Sequence, residues 1–188
     1  ASHMLKGHPG EKVIHDPRLT WNTIDMVKEA GGNPVQSKTG HAFVKERMRA
    51  EDAIYGGEIS AHHYFRKFAY CDSGMVPWLL VVSLISDTGK SLSQLIAERR
   101  RCYPSSGEIN SEVDDTSATI DTVRKHYQKL ATKEEDVDGL SMEFNDAWRF
   151  NLRPSQTEPI LRLNVETRGS ETLLQEKTQE LLGMIQGD

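Results

Sequence analysis

Between Ile160 and Glu166 the chain reads ILRLNVE, an unbroken alternation with Leu161, Leu163 and Val165 on one side and Arg162, Asn164 and Glu166 on the other. A period of two excludes a helix and predicts a strand with one face turned to a core. The surrounding segments fix its company. EINSEV reads as a strand, SATIDTVRKHYQKLAT as a helix, GLSMEF and WRFNL as strands joined by a tight NDA turn, and SETLLQEKTQELLGMI as a closing amphipathic helix. The order βαβββα predicts a small α+β domain over residues 107–188, with helices on one face of an antiparallel sheet.

The first half has a different rhythm. KVIHD is a short apolar strand, TIDMVKEAGG a helix stopped by Gly31 and Gly32, NPVQ a strand ending in a glycine turn, AFVKERMRAEDA a helix, and AIYGGE a third strand. Strand, helix, strand, helix, strand is the sign of a parallel sheet in a three-layer α/β domain, assigned to residues 5–103. MVPWLLVVSLI is too short to span a bilayer, which takes about 20 residues, and reads as a buried helix. SLSQ at Ser91 opens the next helix with a capping box, and YPSSG at Tyr103 to Gly107 reads as the linker between domains. ASHM at the start resembles the remnant of an expression vector and is set aside from the fold.

Composition narrows the partners. A net charge of -5 and a pI near 5.8 argue against nucleic acid or an anionic membrane, which require a broad basic surface. Two cysteines, Cys71 and Cys102, without pairing or metal-type spacing fit a reducing compartment, hence a cytoplasmic location.

Chemistry concentrates in loops. In a parallel sheet the loops after the strands gather at one edge, where ligands bind; here that edge collects Arg18, SKTGH with Lys38 and His41, and GGEISAHH with Glu58, Ser60, His62 and His63. A carboxylate flanked by a hydroxyl can take hydrogen bonds from neighbouring hydroxyls of a polyol. Adjacent His62 and His63 equally fit an ordinary surface or core pair, and consecutive loop residues seldom aim at one ion, so no metal site is expected on this chain. In the second half, RPSQTEP joins two strands without the Asn-Gly or Asp-Gly of a simple hairpin. Arg153 offers a fork of donors, Ser155 and Thr157 hydroxyls, and Gln156 an amide, a set suited to a phosphate monoester. The plainer alternative is a polar turn in which Arg153 pairs with Glu158.

GEISAHHYF followed by RPSQTEPILRLNVE, with DPRLTWNT, SKTGH and YCDSGM, resembles the α-D-phosphohexomutase superfamily in its bacterial phosphomannomutase branch, from about Leu5 to the end. The resemblance implies four domains in the whole protein, of which this chain looks like the third and fourth. The missing first two would carry an active-site phosphoserine and an Asp-rich magnesium loop, so the chain alone is expected to be inactive.

Carried over residue by residue, Glu58, Ser60 and His62 match the sugar-recognition loop. His41 matches a substrate-contacting histidine, which could assist proton transfer, and Arg18 and Lys38 match neighbouring basic positions. Arg153, Ser155, Gln156 and Thr157 match the phosphate loop. Ile59, Pro154 and Gln156 stand where methionine, a small residue and asparagine are usual. The implied reaction interconverts mannose 6-phosphate and mannose 1-phosphate through a hexose 1,6-bisphosphate, with Mg2+ bound in the missing second domain, for GDP-mannose supply. A phosphoglucomutase or phosphoglucosamine mutase acting on other hexose phosphates, and a stand-alone non-catalytic sugar-phosphate-binding module, remain as alternatives.

Overall fold

The computed structural model describes residues 1–155 and 158–187. It divides into two compact units, residues 1–99 and 100–188. The elements of the first are α1 (Ser2–Leu5), β1 (Lys12–His15), α2 (Trp21–Glu29), β2 (Asn33–Gln36), α3 (His41–Glu51), β3 (Tyr55–Gly57), β4 (His63–Phe65), a 3-10 turn, β5 (Cys71–Asp72), α4 (Met75–Thr88) and α5 (Leu92–Cys102), whose last residues belong to the second unit.

The sheet order is β2-β1-β3-β4-β5. β1 pairs in parallel with β2 and β3, as the alternation of strands and helices predicts, while β4 and β5 add on antiparallel. These two strands are absent from the sequence reading, being three and two residues long. They place His63 on a strand rather than in a loop.

Ile14, Val44, Met48, Ala53 and Tyr64 form one apolar cluster, and Leu5, Val13, Val27 and Ile54 another. β3 needs Gly56 because a Cβ there would lie 2.8 Å from the Met48 sulfur of α3. Ala1 and Met4 pack on the second cluster, so the residues set aside as a vector remnant do join the fold.

α4 corrects a further expectation. It is helical, but none of its residues is buried, and Met75, Trp78, Leu79 and Val82 stand 44–66% exposed along one stripe. Apolar composition guarantees burial only where another layer lies over the helix. The buried clusters of this unit draw on the strands and on α2 and α3 instead. Ser91 caps α5 as read: its hydroxyl accepts from Gln94 N, and its own N–H donates to the Gln94 side chain.

The second unit contains β6 (Ser105–Glu112), α6 (Thr116–Tyr127), β7 (Lys133–Glu135), β8 (Leu140–Phe144), β9 (Trp148–Pro154), β10 (Ile160–Thr167) and α7 (Glu171–Gln186). Its sheet, β6-β10-β9-β8-β7, is antiparallel throughout. β6 starts at Ser105, inside the segment read as linker, and β7, with sequence KEE, has no apolar residue to announce it. The NDA turn closes with Asn145 and Asp146 both at positive φ and Ala147 N bonded to Phe144 O, the mirror-image turn that matches strand twist.

Leu161, Leu163 and Val165 enter the core with Phe150, Leu152, Leu174 and Leu181. The opposite face of β10 is only partly wet: Asn164 and Glu166 are buried, and Arg149 donates to Glu166 at 2.8 Å with both side chains at most 2% exposed. Alternation thus marks which residues share a face, not whether the polar face meets water.

Candidate functional site

The loops after the parallel strands β1, β2 and β3 leave the same end of the first sheet, as parallel pairing requires. Their side chains knit these loops together. Asp16, just after β1, accepts at one carboxylate oxygen from Ile59 N (2.9 Å) and from Arg18 Nε and Nη2 (3.1 and 2.6 Å), and at the other from Arg18 N (3.1 Å). Arg18 is buried beside it. Glu58, just after β3, is 6% exposed; Oε1 accepts from Gly40 N (2.8 Å) and Oε2 from Tyr64 Oη (2.6 Å). Burial, then the bond to Glu58, pushes the Tyr64 phenol pKa far up, so it remains a donor.

The turn following Glu58 closes on itself: Glu58 N donates to His62 O, Ala61 N donates to Glu58 O, and Ala61 takes φ 66°. His62 Nδ1 lies 2.8 Å from Asp72 Oδ2, while Asp72 Oδ1 accepts from His63 N at 2.8 Å. Burial alone would raise the Asp72 pKa, but these bonds hold it below the usual carboxylate range. The adjacent histidines diverge, for His63 Nδ1 is 2.7 Å from Tyr55 Oη and burial lowers its pKa. His41 opens α3 behind Gly40, with its ring 4.2 Å from His62 and 5.4 Å from Tyr64, both edge-on.

Of the residues singled out by sequence, Glu58, His62 and His41 therefore come together in one cluster, and Arg18 joins it through Asp16 and Ile59. Ser60 is exposed at the turn, and Lys38 is exposed with its ammonium 5.7 Å from the Phe43 ring. Asp16, Tyr64 and Asp72 were missed. Their contacts with Ile59, Glu58 and His62 span 43, 6 and 10 residues, and only the fold supplies those pairings.

In the second unit Arg153 lies one residue before the end of β9 and pairs not with Glu158 but with Glu108 of β6, at 3.0 Å. Arg162, directly opposite Arg153 on β10, reaches the other oxygen of Glu108 at 3.3 Å. One carboxylate thus holds two guanidiniums, leaving excess positive charge. The Nε atoms of Arg153 and Arg162 are buried without a hydrogen-bond partner. Ser155 N donates to Ile160 O, which closes the base of the loop. Gln156 and Thr157 lie outside the described residues.

Among the described residues one group has the makings of a metal site: His41, His62 and Asp72. Two imidazoles and a carboxylate do not fit the magnesium ion that the resemblance implies, which takes oxygen ligands in a near-octahedral array. No helix among the described residues is long and apolar enough to cross a membrane.

Residues 1–103 match the family model "Phosphoglucomutase/phosphomannomutase, alpha/beta/alpha domain III", and residues 108–182 match "Phosphoglucomutase/phosphomannomutase, C-terminal domain". A Salmonella montevideo protein named phosphomannomutase is 58% identical over 185 residues, covering 98% of this chain and 40% of the relative. A Xanthomonas campestris protein named phosphohexose mutases is 56% identical over 187 residues, covering 100% and 42%. The chain thus spans about two fifths of the length of these curated relatives. A Burkholderia thailandensis phosphoglucomutase/phosphomannomutase family structure superposes with TM-score 0.78 at 26% identity, covering 98% of this chain and 40% of that one. A family model matching more than half of the chain, joined by a second over most of the remainder, establishes that the chain belongs to the phosphoglucomutase/phosphomannomutase family, as its domain III and C-terminal domain.

Proposed function

We propose that this chain is the hexose-binding and phosphate-binding part of a cytoplasmic phosphomannomutase that interconverts mannose 6-phosphate and mannose 1-phosphate through a hexose 1,6-bisphosphate, toward GDP-mannose. The observation that carries this reading is the buried Glu58 carboxylate, fixed by Gly40 N and Tyr64 Oη at the loop edge of the parallel strands. Each of its oxygens has taken one protein donor and retains a lone pair for a sugar hydroxyl. Because the acid is already oriented, ligand binding does not have to order it.

His62, steadied by Asp72, and His41 beside it supply further polar contacts, with His41 a binding group rather than a proton carrier. Arg153 takes the phosphate, supported by the surplus cation that it shares with Arg162 over Glu108. A fork of generic donors suits an intermediate that must turn over, since it accepts a phosphate in either orientation of the sugar. The phosphoserine and the magnesium ion belong to parts of the family protein outside this chain, which accordingly binds but does not turn over substrate by itself.

An NMR titration with mannose 1-phosphate tests this, with inorganic phosphate and free mannose as controls. Mannose 1-phosphate should shift the amides of Gly40, Glu58 and His62 together with those of Arg153 and Ser155, whereas phosphate should move only the second group. Identical responses to both ligands would overturn the hydroxyl-reading role of Glu58. Arg153→Ala should weaken both ligands alike, by about 1.5–3 kcal/mol for a charge-assisted bond. The Xanthomonas relative's name, phosphohexose mutases, favours a second reading in which glucose phosphates are also accepted; equal titration by glucose 1-phosphate would support it.

A further inference from the structure

We propose that His41, His62 and Asp72 form a binding site for a divalent transition-metal ion of the zinc type, and that a metal held there excludes hexose phosphate. One ligand atom from each of the three residues lies within 4.8 Å of the others. Tetrahedral zinc with bonds of about 2.0–2.1 Å needs its ligands roughly 3.3 Å apart, so separations of up to 4.8 Å must close by at most about 1.5 Å while the His62–Asp72 pair, at 2.8 Å, opens slightly.

The elements allow that contraction. His41 is exposed in the first turn of α3, where its ring can rotate. Asp72 is fixed on β5 by His63 N, and His62 is already drawn to it. The His62 Nδ1 lone pair becomes available when the imidazole proton shifts to Nε2, and the carboxylate oxygen that it faced turns to the metal. The remaining coordination positions are left to water.

The donor chemistry selects the ion. Imidazole nitrogen with one carboxylate suits Zn2+, Co2+, Ni2+ and Cu2+, and magnesium cannot compete for it. His63 takes no part, being directed to Tyr55. The three ligands come from α3, the loop after β3 and β5, which explains why no spacing in the sequence announces them.

The competitive consequence rests on the hexose-binding reading given above; the metal site itself does not. Isothermal titration of this chain with ZnCl2, with MgCl2 as control, tests the site. His3 and His8 near the N-terminus are replaced by Gln throughout to remove their background. One zinc per chain should bind, with His41→Asn and His62→Asn each weakening it at least tenfold while the amide spectrum stays folded, and magnesium should give no heat. Zinc affinity unchanged in both variants, or absent from the parent chain, overturns the proposal. Mannose 1-phosphate is then titrated into the zinc-loaded chain. If it binds the metal-free chain and zinc weakens it, competition stands. If it binds equally well with zinc present, competition is refuted. If zinc binds and mannose 1-phosphate does not bind the metal-free chain, the hexose reading has failed while the metal site stands.

Discussion

Glu58→Gln isolates the charge of the central carboxylate while preserving its shape. Gly40 N–H can only donate, so it retains the amide oxygen, and Tyr64 must reverse its hydroxyl to accept from the new NH2. Both bonds pass from charge-assisted, about 1.5–3 kcal/mol each, to neutral, about 0.5–1.5 kcal/mol each. With Glu58 only 6% exposed, water compensates little, and the first unit should lose about 2–3 kcal/mol. Urea unfolding followed residue by residue in amide NMR spectra separates the units: Gly40 and Tyr64 report the first, Phe150 and Leu163 the second. The first midpoint should fall by about 0.7–3 M, given slopes of roughly 1–3 kcal/mol/M, and the second should stay. Tyr64→Phe should cost the first unit about 1.5–3 kcal/mol, and the double variant should cost less than the sum because one change weakens and the other removes the same bond. A Glu58→Gln midpoint within about 0.3 M of the parent's would refute the claim that the carboxylate is a fixed, charged anchor.

Three further outcomes follow from individual contacts. Arg149→Met removes the guanidinium from the buried Glu166 carboxylate and should destabilise the second unit by about 3–5 kcal/mol, with Arg149→Met/Glu166→Leu recovering much of the loss; equal melting temperatures for the two variants would contradict this. Gly139→Ala puts a side chain at φ +73° and a Cβ 2.5 Å from both Leu152 O and Arg153 Cβ, so the second unit should lose stability and the Arg153 amide should move, whereas an unchanged Arg153 resonance would argue against that packing. The pKa of His63 is lowered, chiefly by burial, so the unfolded chain takes up its proton first as the pH drops. The first unit should therefore lose stability below about pH 6.5, the ordinary histidine value, down to the lowered folded pKa. His63→Gln should flatten that stretch of the profile, and a profile already flat in the parent would exclude the effect.

Sequence pattern reached the elements that alternate or repeat over several residues: β1 to β3 with α2 and α3, and β8 to β10 with α7. It missed β4, β5 and β7, because two or three residues such as KEE define no period. It also misjudged α4, since a helix apolar on all sides says nothing of which layer covers it. The same limit governs the site. Glu58, His62 and His41 were legible because they cluster in glycine-bearing loops at strand ends. Asp16, Tyr64, Asp72 and Glu108 were not, for each acts by reaching a partner that chain order does not reveal; Glu108 and Arg153, for example, are 45 residues apart.

The bare stripe on α4 also gives the molecule an optical handle. Of the three tryptophans, Trp21 and Trp148 are 3% and 6% exposed and Trp78 is 58% exposed. Red-edge emission, and quenching by iodide, therefore belong to Trp78. Its fluorescence reads the wetness of that stripe directly, without a label, and a Trp78→Phe chain provides the blank.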